Sequence, residues 1–142
     1  MNFVATFDVD STLLAPRFDS DQGLWVTDEK SEPNKRVVER FKMLKSAGGR
    51  VGIVTTRIEY HNSMDEIRDL CQRAGISPDF VHFTNNKDKW PTLNKVNSNI
   101  HFDDDIEELA MAKKNIPTIK AVLVKHPADG NDPMDKIADE II

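Results

Sequence analysis

Residues 3–13 read FVATFDVDSTL, and this stretch is the first indication of the class of fold. An apolar run ends at Asp8, and a second carboxylate follows at Asp10. A short apolar run bounded by polar residues is typical of a strand that is covered on both faces of a parallel sheet. Functional side chains of such sheets collect just beyond the carboxyl ends of the strands. We therefore expect Asp8 and Asp10 to lie at a functional edge of the sheet.

The rest of the chain repeats the alternation of apolar runs and helical periods. Four further strands are predicted, at residues 51–54, 80–83, 99–102 and 120–124. Helical segments separate them, and Asp132 and Pro133 are predicted to start a last helix with Ile141 on its buried face. This alternation predicts one Rossmann-like, three-layer α/β/α domain over residues 1–142, with a five-stranded parallel sheet.

Residues 14–31 have neither pattern. They contain Pro16, an Asp-Ser-Asp-Gln-Gly turn at 19–23 and a short apolar run at 24–26. Turn residues between two short runs favour a hairpin. We predict a small hairpin or flap beside the first strand.

The composition disfavours or excludes several classes of protein. A chain of 142 residues with a net charge of −5 has room for one core but hardly for two full domains. Its acidic balance disfavours tight non-specific binding to nucleic acid or to an anionic membrane, so nucleic acid is expected only as a substrate. Cys71 is the only cysteine, which excludes an intrachain disulfide and a cysteine-based zinc site. No apolar run reaches the roughly 18 residues of a membrane span, and we expect a cytoplasmic protein.

Residues with useful chemistry follow the other predicted strands as well. The second strand ends in Thr55, with Arg57 two positions on, and the fourth ends in the acidic pair Asp103 and Asp104. Lys89 lies between the third and fourth strands. Each feature alone has an ordinary explanation, because a strand threonine is often simply buried and acids often cap helices. Arg57 by itself is interpreted as a structural or rim residue.

Together these motifs resemble those of the haloacid dehalogenase superfamily of phosphohydrolases. That family has an apolar strand followed by D-x-D-x-T, here FVATFDVDST, and then an apolar strand ending in Thr or Ser, here VGIVTTR. A lone lysine and an apolar strand with an acidic pair follow, here IHFDDD. The resemblance covers nearly the whole chain in the correct order. It implies a phosphatase with its strands in the order 5-4-1-2-3, and the short gaps between the motifs imply that it has no cap domain.

The resemblance also implies catalytic roles. Asp8 would attack phosphorus to form an aspartyl-phosphate. Asp10 would protonate the leaving oxygen and later deprotonate the hydrolytic water. Thr55 would hydrogen-bond a phosphoryl oxygen, and a lysine would neutralise charge on the nucleophile and the phosphate.

Three lysines are candidates for that last role. Lys89 opens a short segment ahead of the fourth strand, where the family's lysine often lies, and it is ranked first. Lys87 is nearly as well placed. Lys95 matches the spacing seen in some small family members.

The clustered acids predict a divalent cation. The carboxylates of the first and fourth motifs would repel one another in a shared cleft. Hard oxygen ligands and a phosphate substrate favour Mg²⁺ as the cofactor. By the resemblance, the metal ligands would be Asp8, the backbone carbonyl of Asp10 and Asp104, with Asp103 as the other member of the acidic pair.

The expected partner is a phosphorylated substrate. Capless relatives act on exposed phosphates of large molecules or close their site by forming oligomers, so the resemblance implies a small molecule or a macromolecular end, and it allows an oligomer. A nucleic-acid 3′-phosphate is the leading specific hypothesis, with nucleotides and phosphoproteins as alternatives. Trp25 and Trp90 flank the predicted cleft and could stack on a base, although packing against the sheet is the favoured interpretation.

Two other functions stay open on the sequence alone. A receiver domain also places clustered Asp, a Thr or Ser and a Lys around Mg²⁺. Its lysine comes last, however, whereas here a lysine precedes the second acidic cluster. A catalytically silent binding domain of the same architecture is disfavoured by the intact motif residues. His82 and His101 lie within apolar strands and are interpreted as packed residues rather than as ligands.

Overall fold

A six-stranded parallel sheet forms the centre of the computed structural model, which describes residues 2–142. The strands are β1 (Val4–Phe7), β2 (Arg17–Asp19), β3 (Leu24–Val26), β4 (Arg50–Thr55), β5 (Val81–Phe83), β6 (Ile100–Asp103), β7 (Lys120–Leu123) and β8 (Glu140–Ile141). The helices are α1 (Lys35–Ser46), α2 (Ser63–Ala74), α3 (Trp90–Lys95) and α4 (Ile106–Asn115), and a 3₁₀ helix covers Pro133–Ile137. The predicted α/β fold is confirmed. Met1, which the predicted domain includes, lies outside the described residues.

The order of strands in the main sheet is β5-β4-β1-β6-β7-β8. If the six strands of this sheet are numbered 1 to 6 along the chain, the order is 3-2-1-4-5-6, which is the order of Rossmann folds. The order predicted for the first five strands is confirmed. Receiver-like folds have the order 2-1-3-4-5 instead, so the topology disfavours the receiver alternative. The order reverses at β1, and a ligand site is expected at the carboxyl end of that strand.

The sheet has one strand more than predicted. After the 3₁₀ helix, which Asp132 caps, the chain extends into β8 and pairs in parallel with β7. The predicted start of the last helix at Asp132 and Pro133 is confirmed, but the helix ends at Ile137. Its predicted extension is wrong, and Ile141 is 50% exposed instead of lying in the core. The open edge of β7 explains the difference, because buried carbonyl groups need donors. The N–H of Ile142 donates to the carbonyl oxygen of Leu123 at 2.9 Å.

Helices cover both faces of the main sheet. Alternate strand residues point to opposite faces, and Phe7 and Phe102 face α1 and α2, where their rings stack with centroids 4.1 Å apart. Val54 and Ala121 face α3 and α4 on the other side. Burial on both faces explains why these strands are continuous apolar runs in the sequence.

The strand register brings the predicted motifs to one edge. Phe7 pairs with Ile53 on β4 and with Phe102 on β6. The residues that follow these pairs, Asp8 and Asp103, therefore lie side by side at the carboxyl ends of their strands. Thr55 ends the neighbouring strand β4.

The insertions between the strands are short. Between β1 and β4 the described chain holds only the antiparallel hairpin β2–β3 and α1, and between β4 and β6 it holds α2, β5 and α3. No cap domain is therefore present within residues 2–142. In the same part of the chain, no helix combines the length and the apolar character needed to cross a bilayer.

Candidate active site

A tight turn after β1 positions the two carboxylates of the first motif. The carbonyl of Val9 accepts the N–H groups of Thr12 and Leu14, and the hydroxyl of Thr12 donates to Asp8 Oδ2 at 2.9 Å. Asp8 is buried at the end of β1, whereas the Asp10 side chain is 42% exposed. The turn thus gives two acids only two residues apart very different surroundings.

Lys89 contacts Asp8 directly. Its Nζ donates to Asp8 Oδ1 at 2.7 Å and to Asp103 Oδ2 at 2.6 Å. Lys89 is 2% exposed, while Lys87 and Lys95 are exposed. The structure therefore places the first-ranked lysine beside Asp8 and leaves the other two candidates at the surface.

Burial and charge change the protonation of these groups. Burial opposes the charge on Lys89, but the attraction of Asp103 and Asp8 outweighs it and raises the pKa of the amine. Burial also opposes ionisation of Asp103, but the positive charge of Lys89 and the hydrogen bond from His101 hold the pKa of that carboxyl well below its usual range. Burial and then the charge of Asp103 raise the pKa of Asp8 to about 6. Lys89 is thus a cation and Asp103 an anion near neutral pH.

Three carboxylates meet beside this ion pair. One oxygen from each of Asp8, Asp103 and Asp104 lies within 4.8 Å of the other two. Desolvation and then the charge of Asp8 raise the pKa of Asp104, which indicates more negative charge than Lys89 alone balances. Hard carboxylate oxygens are the ligands that oxygen-preferring divalent cations take in proteins. The donor set therefore fits such a cation.

The two members of the acidic pair differ in their contacts. Asp103 is 1% exposed, and its oxygens accept hydrogen bonds from Lys89, from His101 and from the N–H of Asp105. Asp104 is exposed, and the Thr12 hydroxyl lies 3.4 Å from its Oδ1. Asp104 is thus free to bind a cation, whereas Asp103 is engaged in holding Lys89.

Arg57, which the sequence led us to interpret as a structural or rim residue, contacts Asp10 directly. Its guanidinium donates to both carboxylate oxygens of Asp10, at 2.9 and 2.8 Å, and to Glu66 at 3.0 Å. Its backbone N–H donates to the Thr55 hydroxyl at 3.2 Å, which ties the end of β4 to the Asp10 ion pair. The only sign of this contact in the sequence was the position of Arg57 two residues after Thr55. Thr12 was overlooked too, although it is the threonine of D-x-D-x-T.

An open groove of about 700 Å³ leads away from Asp10 along α2. Apolar side chains that include Ile67 and Leu70 contribute to its lining. Six acidic side chains and two arginines also line it: Asp10, Asp28, Glu29, Asp65, Glu66, Asp69, Arg57 and Arg73. The groove therefore carries an excess of negative charge.

The two tryptophans lie in different surroundings. Trp25, on β3, is 47% exposed, and its aromatic neighbours are Phe18 and His126. It borders a cavity of about 230 Å³ that Asp104 also lines. Trp90 is half-buried at the first residue of α3.

Solved structures share this fold. A protein from Thermotoga maritima assigned by name as a beta-phosphoglucomutase is 14% identical, with a TM-score of 0.67, and the match covers 99% of this chain and 94% of that one. A phosphoserine phosphatase in its apo form is 15% identical over 100% of this chain and 94% of its own, with a TM-score of 0.62. The cobalt-bound deoxy-D-mannose-octulosonate 8-phosphate phosphatase of Haemophilus influenzae is 16% identical over 98% and 76%, with a TM-score of 0.56. No protein-family model matches the sequence, and no curated protein does.

Proposed function

We propose that this chain, whose fold is that of the haloacid dehalogenase phosphatases, hydrolyses phosphate monoesters with the help of a divalent cation. The observation that carries the proposal is the buried contact of Lys89 with Asp8 at the carboxyl end of the central strand. A phosphate ester is anionic and resists attack, so a carboxylate nucleophile needs concentrated positive charge beside it. Lys89 supplies such a charge at 2.7 Å from Asp8.

Asp8 is the proposed nucleophile. A carboxylate oxygen of Asp8 forms a bond to phosphorus while the bond from phosphorus to the leaving oxygen breaks, which gives an aspartyl-phosphate. A water molecule then attacks phosphorus, the bond to Asp8 breaks, and inorganic phosphate leaves. The hydrogen bond from Thr12 to Asp8 Oδ2 supports this role, because it fixes the orientation of the carboxylate.

Asp10 is the proposed acid and base. It gives a proton to the leaving oxygen in the first step and takes a proton from the attacking water in the second. Its partial exposure and its position two residues beyond the nucleophile support this role. Arg57 donates to both oxygens of Asp10, the contact of an ionised carboxylate, and we propose that it orients Asp10 as the base of the second step. In the first step Asp10 must carry the proton that it gives to the leaving oxygen.

Thr55 and Lys89 are proposed to bind the phosphoryl group. The Thr55 hydroxyl lies at the end of β4 and would donate to a phosphoryl oxygen. Lys89 would offset the negative charge that gathers on the phosphoryl oxygens and on Asp8 during attack.

Mg²⁺ is the proposed cation. The carboxylates of Asp8 and Asp104 would hold it, with Asp103 behind them as the partner of Lys89. A divalent cation at this place supplies a Lewis acid for the phosphoryl oxygens. All three side chains offer hard oxygen atoms, which is the preference of Mg²⁺.

The charge of the groove beside Asp10 favours a small phosphate monoester over a nucleic-acid end. Six acidic side chains against two arginines would repel the phosphates that follow the terminal one in a polynucleotide. A small monoester brings only the phosphoryl group that Lys89 and the cation bind. We therefore rank small-molecule phosphates above the 3′-phosphate of nucleic acid, which the sequence alone favoured.

The test is hydrolysis of p-nitrophenyl phosphate with Mg²⁺ or with EDTA, by the wild type, by Asp8→Asn and by Asp21→Asn. Asp21 is a matched control, because it belongs to a second D-x-D in the exposed hairpin turn. We expect metal-dependent turnover that Asp8→Asn abolishes and Asp21→Asn leaves intact. If Asp8→Asn still turns over the ester, Asp8 is not the nucleophile.

A substrate panel completes the test. Sugar phosphates, amino-acid phosphates, nucleotides and 3′-phosphorylated oligonucleotides are compared by kcat/KM. We expect the small monoesters, which carry a single phosphate group, to exceed the oligonucleotides in kcat/KM at low ionic strength, where repulsion by the groove is strongest. If the wild type hydrolyses no member of the panel in the presence of metal, the result favours the alternative of a catalytically silent binding domain.

A further inference from the structure

His101 is buried within β6 and has a polar partner at each ring nitrogen. The residue is 1% exposed, with Nε2 2.9 Å from Asp103 Oδ2 and Nδ1 2.8 Å from Thr6 Oγ1. The Thr6 hydroxyl lies 2.8 Å from the hydroxyl of Ser98, which is also buried. A line of polar groups therefore runs through the interior and ends at Asp103.

The partners fix the hydrogen on the imidazole ring. An ionised carboxylate only accepts hydrogen bonds, so His101 Nε2 donates to Asp103. In the neutral ring Nδ1 is then an acceptor, and the Thr6 hydroxyl donates to it. Both ring nitrogens are satisfied, which holds the ring in one orientation.

The contact with His101 restrains Asp103. Asp103 Oδ2 accepts hydrogen bonds from both His101 and Lys89, and Asp103 Oδ1 accepts one from the N–H of Asp105 at 3.1 Å. The carboxylate is therefore bound on both oxygens and cannot turn without losing a buried hydrogen bond. Lys89 has a long, flexible side chain, and this restrained carboxylate determines where its amine lies.

We propose that His101 is a positioning residue, which acts through Asp103 to hold the amine of Lys89 against Asp8. The proposal rests on the proposed function, because the position of Lys89 matters only if Asp8 is the nucleophile. His101 touches neither nucleophile nor substrate in this scheme. Its effect is on the charge that faces the reacting phosphoryl group.

Three variants separate positioning from packing. His101→Leu keeps most of the volume and removes the donor, whereas His101→Gln keeps an N–H group that can reach Asp103. His82→Leu is the matched control, since His82 lies in β5 of the same sheet and packs against Phe80. We expect His101→Leu to lower kcat by roughly 10- to 100-fold, the usual cost of losing a partner behind a site residue. We expect KM to change little, His101→Gln to recover most of the loss, and His82→Leu to leave kcat unchanged.

Nuclear magnetic resonance gives a readout that needs no activity. In the ¹⁵N-labelled wild type we expect His101 to carry its hydrogen on Nε2 and the amine of Lys89 to give a signal protected from solvent. His101→Leu should shift or broaden that amine signal, and His82→Leu should not. Thermal unfolding of each variant shows whether it is folded at the temperature of the assay.

Specific results would overturn the proposal. A hydrogen on Nδ1 rather than Nε2 would contradict the contact with Asp103. The proposal would also be wrong if a folded His101→Leu variant kept both its kcat and its Lys89 signal. Equal losses of kcat in His101→Leu and His101→Gln would contradict it as well. If the wild type shows no turnover, the proposed function is wrong. The Lys89 signal in the wild type and in His101→Leu would then still show whether His101 positions the amine.

Discussion

The amine of Lys89 donates to Oδ1 of Asp8 across 2.7 Å, between two side chains that are 81 residues apart in the chain and buried in the fold. Buried charges of this kind are tolerated only when paired. Here the same amine also binds Asp103, so one cation serves two anions. This arrangement favours a further cation at the site. It makes Lys89 important for the stability of the fold and, in the proposed mechanism, for catalysis.

Replacing Lys89 by methionine should impair both properties. Asp8 and Asp103 would face each other without their shared cation, and breaking a buried ion pair costs about 3–5 kcal/mol. We expect that loss in urea unfolding with EDTA present, and a fall in kcat of at least about a hundredfold with Mg²⁺. Lys87→Met and Lys95→Met alter exposed lysines and should change neither quantity. Loss of activity in one of those variants instead would identify a different catalytic lysine.

Asp104→Asn should make the metal-free protein more stable at neutral and alkaline pH. The fold raises the pKa of Asp104, so the folded protein holds that proton more tightly than the unfolded chain does. The wild type therefore loses the contribution of Asp104 as the pH rises from the ordinary pKa of a carboxyl group through the raised pKa, and the variant lacks this loss. Thermal unfolding in EDTA should show a higher Tm for the variant at pH 8 and equal values at pH 3.

The same variant should lose its response to metal. At a Mg²⁺ concentration of 100 times Kd, binding would stabilise the wild type by about 2.7 kcal/mol, and Asp104→Asn should show little of this gain. The measurement is the shift in Tm between EDTA and Mg²⁺, with Asp21→Asn as the control. An equal shift in wild type and Asp104→Asn would place the cation elsewhere.

Arg57→Lys should lower kcat/KM by roughly tenfold. Lysine keeps the charge but cannot bind both oxygens of Asp10 as the guanidinium does, so the proposed acid would lose its fixed orientation. Glu66→Gln weakens the other contact of Arg57 and leaves Asp10 bound, which makes it the control. Steady-state kinetics with p-nitrophenyl phosphate measure the difference. Equal rates in Arg57→Lys and wild type would show that Asp10 needs no such support.

Glu140→Gln should destabilise the last strand in a way that depends on pH. Hydrogen bonds from Arg40 and then Lys120 lower the pKa of Glu140 to about 2. The ion pair therefore contributes fully above the ordinary pKa of glutamate, and its contribution is lost as the pH falls towards 2. For partly exposed pairs we expect about 0.5–1 kcal/mol at pH 7. Thermal unfolding should show a lower Tm for the variant at pH 7 and a smaller difference near pH 2, while exposed Glu39→Gln follows the wild type throughout.

The choice among three lysines shows where sequence reasoning stops. Position along the chain ranked Lys89 first but left Lys87 and Lys95 as candidates. In the fold, α3 begins directly after Lys89, and the Lys89 N–H donates to Glu108 of α4 at 3.1 Å. These contacts between helices place one lysine beside Asp8 and leave the others in solvent.

Arg57, His101 and β8 were missed for related reasons. Arg57 had a position in the second motif, but its partner Asp10 lies 47 residues earlier, and no local pattern records such a pair. His101 was interpreted as a packed strand residue, which it is, but its hydrogen bond to Asp103 depends on side-chain geometry. The helical spacing near the C-terminus favoured a helix, whereas pairing with the open edge of β7 gave a strand.

The order of the strands was implied by the family resemblance. Local patterns in the sequence predicted the α/β class, five strands, and the strand ends at which Asp8, Asp10, Thr55, Asp103 and Asp104 lie. These features follow from local signals, because buried parallel strands require apolar runs and motif residues follow them directly. The tertiary structure was needed to show that Lys89 rather than Lys87 or Lys95 contacts Asp8, and that Arg57 binds Asp10. It also shows that Asp103 is engaged by Lys89, whereas Asp104, which the resemblance implied as the metal ligand, is exposed. Those contacts join residues far apart in the chain, and the register of the sheet and the packing of helices on it determine them.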